Sequence, residues 1–195
     1  FNDQKPIMDG DGGIRNILMV DCSCSGAALP FPEQINTPFP IQSAHSLCTS
    51  SSERERLLET ALQHRLTDVI ISGCSSDPLP NSFKSNCHSL GCSLRGLDVL
   101  QTQSHRTLPS PFNVTELELK IALLEDPWPA STVHHRVFDI LKDANIGELI
   151  LDTRSSAESW GMQIQPGQVL LQLDSKHLNA IVHEIKPLQI PIIVL

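Results

Sequence analysis

Short, uniformly apolar runs at intervals along the chain constrain its fold more than any other feature. Residues 17–20 read ILMV, 68–72 DVIIS, 148–152 ELILD, 168–174 QVLLQLD and 190–195 IPIIVL. Runs this short without polar alternation suit strands covered on both faces, as in parallel sheets wrapped by helices. Helical periods separate them. Leu57, Leu58, Ala61 and Leu62 form one apolar stripe; Leu117, Ile121, Ala122 and Leu124 form a second. Val133, Val137, Ile140, Leu141 and Ala144 form a third, and Leu178, Ile181, Val182 and Ile185 a fourth. Ser52 with Glu55, and Thr115 with Glu118, have capping-box spacing, in which each side chain serves the other's free backbone N–H. The alternation predicts an α/β fold: a small, mostly parallel sheet with helices on both faces, followed by a second, smaller α/β unit.

The chain has 195 residues, enough for one domain or one domain with a small second unit. A division near residue 105 gives a first domain over 14–105 and a second unit over 113–195. Residues 1–13, polar and glycine-rich, read as a disordered segment, and 101–113 as a linker. The four prolines of ALPFPEQINTPFP forbid regular structure there, residues 41–47 predict a short second strand, and 83–90 about one helical turn. The first residue is not Met, so a processed chain or a fragment is expected. The apolar tail predicts a buried last strand, met by a continuing chain or a close subunit contact.

Charge narrows the function. The formal net charge is −8 and Lys and Arg do not cluster, which argues against nucleic acid as a partner. No apolar run reaches the ~20 residues of a membrane span. No export signal appears, and the six cysteines sit in a chain with long helix and strand patterns. A reducing compartment, the cytoplasm, is therefore expected, where cysteine clusters bind metal or catalyse more often than they bridge.

All six cysteines lie in the first half. Cys22 follows the first strand, Cys48 the second, and Cys74 the third by one glycine; Cys24 lies two residues past Cys22. Parallel strands would bring these to one carboxyl edge, where open α/β sheets hold ligands. Four thiolates at one edge satisfy an iron–sulfur cluster or a tetrahedral zinc. The first choice of ligands is Cys22, Cys24, Cys48 and Cys74. Cys87 is the substitute for Cys24, and Cys92 the expected free thiol. Isolated cysteines are also common as small buried apolar residues.

These elements, MVDCSCSG, HSLCTSSSERERLLETALQ, TDVIISGCSSDPLPNSFKSNC and GCSLRG, resemble the amino-terminal iron–sulfur domain of the heterodisulfide reductase A-subunit family. The resemblance spans residues 17–92, about 40% of the chain. It implies that Cys22, Cys24, Cys48, Cys74 and Cys87 lie at a cluster-binding edge, with a 4Fe–4S cluster as cofactor. It also implies an electron-transfer subunit, whose partners would be redox subunits carrying flavin or further clusters; separately, the second unit is expected to dock on a partner or on a second copy of the chain. Ser25 separates Cys24 from Gly26, and Ser76-Asp77 stand where the family has Pro followed by Arg. The flavin fingerprint G-x-G-x-x-G is absent, so the family's flavin chemistry does not carry over. A scaffold subunit that keeps the fold without a cluster is the alternative, and a sulfur-transfer protein using Cys74 a third reading, weakened by Pro78 and Pro80.

Other residues invite chemistry. Asp77 near Cys74 reads as a turn former before a ligand. His45 reads as a surface residue or the cap of a cluster edge. His134 and His135 point about 100° apart on a helix, and His177 and His183 do not share a face, so neither pair has the i, i+4 spacing of a zinc site. Asp152 and Asp174 end strands and read as caps before metal ligands or bases. Trp128 and Trp160 read as core or interface anchors.

Overall fold

The computed structural model describes residues 7–8, 12–73, 76–106, 113–125 and 131–195. The chain divides into two units: Phe1–Phe31 with Thr37–Leu100, and Pro32–Asn36 with Gln101–Leu195. The expected disordered segment 1–13 falls largely outside the described residues. Within it, β1 (Ile7–Met8) pairs antiparallel with β2 (Ile14–Arg15).

In the first unit β3 (Ile17–Cys22), β4 (Ile41–Ala44), β5 (Asp68–Gly73) and β6 (Ser93–Asp98) form an all-parallel sheet in the order β4-β3-β5-β6. Helix α1 (Ser51–Gln63) joins β4 to β5, and α2 (Asn81–Ser89) joins β5 to β6. The period of two sorts the apolar runs. Leu18, Val20 and Cys22 of β3, with Val69 and Ile71 of β5, share a core with Leu57 and Ala61 of α1 and Phe83 and Cys87 of α2. Met19 and Ile70, on the opposite face, are equally buried. The β3–β4 connection is the proline-rich segment, so α1 and α2 occupy one and the same face.

In the second unit β7 (Glu148–Asp152) lies between β8 (Gln168–Gln172) and β9 (Ile192–Val194), again all parallel. Helix α3 (Val99–Ser104) follows β6; α4 (Val114–Glu125) and α5 (Ser131–Asp143) precede β7. The short α6 (Ser156–Ser159) and then α7 (Ser175–Ile185) complete the α-helices among the described residues. Leu149, Leu151, Val169 and Leu171 meet Leu119, Val137, Leu141, Ile181 and Ile185 on one face. Ile150 and Leu170 meet Ile164 and Met162 on the other.

The α/β class and its parallel sheets match the expectation; several local details differ. Where one turn was expected over 83–90, Asn81–Ser89 form a full nine-residue helix whose Phe83 and Cys87 are buried by α1 and the sheet. Strand β6 was not expected, because SLRGLD lacks an apolar run. It is an edge strand whose Arg95 is held by Asp68. The expected linker starts as α3, with Gln101, Thr102 and His105 buried; residues 107–112 lie outside the described residues. The last strand is not buried, since Ile193, Val194 and Leu195 are exposed on the sheet edge. Both expected capping boxes are displaced. Ser50 caps α1 by accepting from Glu53 N, and Asn113 Oδ1 accepts from Glu116 N at α4. A reciprocal box does form at Ser155 and Glu158.

Candidate functional site: the cysteine edge

The sheet order places β3, first of its four strands in sequence, between β4 and β5. The chain leaves β3 toward one side and returns past it to the other, so the loops after β3 and β5 diverge at their carboxyl ends. This reversal is where open α/β sheets hold ligands. Residues 22–26, CSCSG, form the first of these loops; the second follows Gly73.

Cys22 ends β3 and is only 4% exposed, packed in the α1/α2 core. Its N–H donates to Ser72 Oγ at 3.3 Å, and that hydroxyl donates to Asp21 Oδ1 at 3.3 Å. The chain then turns sharply: Cys24 has φ 49° and Ser25 φ 58°, two consecutive left-handed residues with side chains. Each such residue costs roughly 1–2 kcal/mol. Backbone bonds to the end of β4 hold the turn: Ser23 N to Ala44 O at 2.9 Å and Ser25 N to His45 O at 2.8 Å.

The strained turn carries Cys24 over β5. A Cβ built on Gly73 would lie 2.6 Å from Cys24 Sγ and 3.1 Å from Cys22 O, and Gly73 has φ 131°. Glycine alone meets both conditions: the sulfur occupies the place a side chain would take, and the backbone angle is one that other residues avoid. The next residue is Cys74, which lies outside the described residues.

Cys48 lies one strand outward, in the turn between β4 and α1, half-buried, with Ser46 Oγ at 3.7 Å from its sulfur. Helix α1 fixes this turn. Glu53 accepts from His45 N at 2.9 Å and Ser46 N at 2.8 Å, and Arg54 Nη1 donates to Leu47 O at 2.7 Å and Cys48 O at 3.1 Å. Burial pushes the Glu53 carboxyl up, but the two backbone donors and Arg56 outweigh it and hold it below the usual range. His45 Nδ1 meets Ser23 Oγ at 3.1 Å, so His45 is tied to the cysteine turn. Asp21, Ser23, Ser43, His45 and Glu53 line an open cleft of about 330 Å³ on this side of the rim.

Cys87 and Cys92 are elsewhere. Cys87 is in the last turns of α2, and Cys92 accompanies it just before β6, at the amino end of the sheet. Both are buried. Burial pushes the Cys87 thiol up to about 11, and burial together with Cys87 and Asp68 pushes Cys92 to about 12. The structure thus brings Cys22, Cys24 and the residue before Cys74 to one corner, sets Cys48 beside it, and separates Cys87 from the group. Asp77 lies in an exposed turn. Among the described residues, no three His, Cys, Asp or Glu side chains stand close enough to hold one metal ion. Thiolates are the donors that iron–sulfur and zinc sites use, and the described thiols do not converge on one point.

Gly73, Glu53 and Ser23 are the site residues that spacing did not reveal. The Gly before Cys74 was visible in ISGC, but its clash with a residue 49 positions away was not. In the second unit, Asp174 is the N-cap of α7. Asp152, at the end of β7, takes Arg154 Nε at 2.8 Å and Nη2 at 3.0 Å; burial pushes its carboxyl up, but these donors hold it below the usual range. Trp160 is exposed after α6, and Trp128 lies outside the described residues.

Compared with protein-family models, with curated proteins and with solved structures, the chain matches none. No helix among the described residues is long and apolar enough to cross a membrane.

Proposed function

We propose that the first unit binds an iron–sulfur cluster at its cysteine edge, and that the chain is an electron-transfer subunit of a larger redox complex in the cytoplasm. The supporting observation is the seat of Cys24 Sγ over Gly73, at the point where the strand order reverses. A left-handed, strained pair of residues there is a cost that a core cysteine does not require, and such strain gathers at functional sites. Cys22, Cys24, Cys48 and Cys74 are the proposed donors. A bound cluster would supply one-electron capacity. The chain's part is to hold the thiols: backbone bonds to β4 fix the Cys24 turn, and Glu53 and Arg54 fix the Cys48 turn. Hydrogen bonds near sulfur and the exposure of the site are what tune a cluster's potential. The partner would carry the flavin or further clusters that this sequence lacks.

Anaerobic reconstitution tests the reading. Iron and acid-labile sulfide in equal amounts, with a brown chromophore, are expected; Cys24→Ser and Cys48→Ser should lose them and Cys92→Ser should keep them. A colourless, iron-free chain after reconstitution overturns it. One observation favours a second reading, a scaffold that keeps the fold without a cluster: Cys22 is packed among Leu47, Leu57 and Phe83 as an apolar side chain. In that case the Cys22→Ser, Cys74→Ser chain assembles with its partners unchanged.

A further inference from the structure

Four of the chain's eight histidines lie on two neighbouring helices of the second unit: His134 and His135 on α5, His177 and His183 on α7. The helices pack together through Val137 and Leu141 of one and Ile181 and Ile185 of the other. Two contacts between them run through histidine. His134 and His177 are each half-buried in the first turn of their helix, and their rings meet edge to face. His134 Nε2 is hydrogen-bonded to His177 Nδ1 at 3.4 Å. His135 Nδ1 meets Glu184 Oε1 at 2.5 Å, in the last turn of α7.

The two contacts respond to acid in opposite senses. In a bond between two imidazoles, the N–H of one ring donates to the bare nitrogen of the other. A first proton, taken on the donor ring's outer nitrogen, leaves the bond in place and makes it charge-assisted. A second proton removes the bare nitrogen itself. Two N–H groups then face each other, and two positive rings stand in contact. Acid acts the other way on His135, whose contact with the Glu184 carboxylate becomes an ion pair; His135 is exposed, so that gain is small. On the His177 ring, Lys176 opposes a further proton and Asp174 favours it, and these two are ion-paired with each other at 3.2 Å.

We infer that the His134–His177 bond is an acid-sensitive latch, which releases the first turn of α7 from α5 once both rings carry a proton. Ile181 and Ile185, fully buried, keep the rest of α7 in place, and Leu178, packed at the margin of the same core, is the first apolar side chain uncovered. Burial first, then Lys176 and His134, hold His177 below its ordinary value of 6.5. Its contribution is therefore fully present above 6.5 and is lost as pH falls through the lower folded value. The pairing crosses 43 residues of sequence, so neither the His134-His135 nor the His177-His183 spacing revealed it. The inference concerns the second unit and does not rest on the cluster proposed for the first.

Hydrogen exchange of the full chain at pH 7.5 and 5.0, corrected for the intrinsic pH dependence of exchange, tests it. The amides of Asn179, Ala180 and Ile181 bond to carbonyls of the first turn of α7. Their protection should fall at least about fivefold between the two conditions, while that of β7 holds. His134→Gln keeps a neutral partner for His177 and removes the facing charge. In that variant the fall should shrink below about twofold. The His177 midpoint, read from imidazole carbon shifts, should rise in the same variant. No fall in the wild-type chain, an equal fall in His134→Gln, or an unmoved His177 midpoint overturns the proposal. If His134→Gln does not fold, the wild-type shifts decide: the two rings should take up protons in two coupled steps, and independent single-step titrations overturn it.

Discussion

A methyl group at residue 73 would meet Cys24 Sγ at 2.6 Å on a backbone held at φ 131°. Gly73→Ala therefore combines a clash with a backbone penalty, and should cost about 2–4 kcal/mol in urea unfolding. Cys24→Ala in the same chain removes the clash and should restore part of the loss; an equal cost in both backgrounds would show that the sulfur is not the obstacle. Cys87 and Cys92 behave differently. Their pKa values are raised from 9.0 to about 11 and about 12, so folding favours the neutral thiols. That contribution is fully present below pH 9 and is lost as pH rises from there through 11 and 12. Urea midpoints between pH 8 and 10.5 should fall, and should fall less in Cys87→Ala. With native protein at pH 8, Cys24 and Cys48 should alkylate well before Cys87 and Cys92. At this scale the sequence was partly legible. The strand-end position of Cys22, Cys24 and Cys48 followed from the apolar runs. The place of Cys87 depended on the length of α2, whose polar stretch NSFKSNCHS hides a helix with two buried side chains.

The turn before α1 shows what a helix does for the site. Glu53 holds two backbone donors with one carboxylate, and a neutral Gln accepts with one oxygen only. Glu53→Gln should cost about 1–2 kcal/mol, since charge-assisted bonds are the stronger kind. It should also speed alkylation of Cys48, and unchanged Cys48 reactivity would separate the carboxylate from the thiol. Because the Glu53 pKa is lowered on folding, its contribution is present above its ordinary value of 4.5 and fades as pH falls through the folded value. The run SSSERE offers two overlapping frames, Ser50 with Glu53 and Ser52 with Glu55, and propensity cannot choose between them. The choice falls to Glu53 because His45 and Ser46 need an acceptor there. Strand β6 and helix α3 escaped notice for a similar reason: SLRGLD becomes a strand by pairing with β5, a long-range partner that local pattern does not contain.

Across the whole chain, two parallel sheets were legible because ILMV, VIIS, ILIL-like runs and amphipathic stripes repeat through both halves. The main division falls between Leu100 and Gln101, and Pro32–Asn36 belongs with the second unit, where Asn36 N donates to Glu118 Oε1 at 2.8 Å. A chain distant in sequence can still supply part of a unit, and no composition shift marks it. Hydrogen exchange should follow the topology: the central strands β3, β5 and β7 exchange last, and the edges β6 and β9 first. Protection of β9 equal to that of β7 would mean that something covers the exposed edge.

Strand β5 opens with Asp68, gripped by Arg15 Nε at 3.0 Å and Arg95 Nη2 at 2.6 Å, and closes with Gly73 beneath a sulfur. Six residues at about 3.3 Å each keep the two ends some 17 Å apart. The strand works as a spacer between an ionic clasp at one end of the sheet and the cysteine turn at the other, so a change confined to that turn leaves the pairing fixed by the clasp in register.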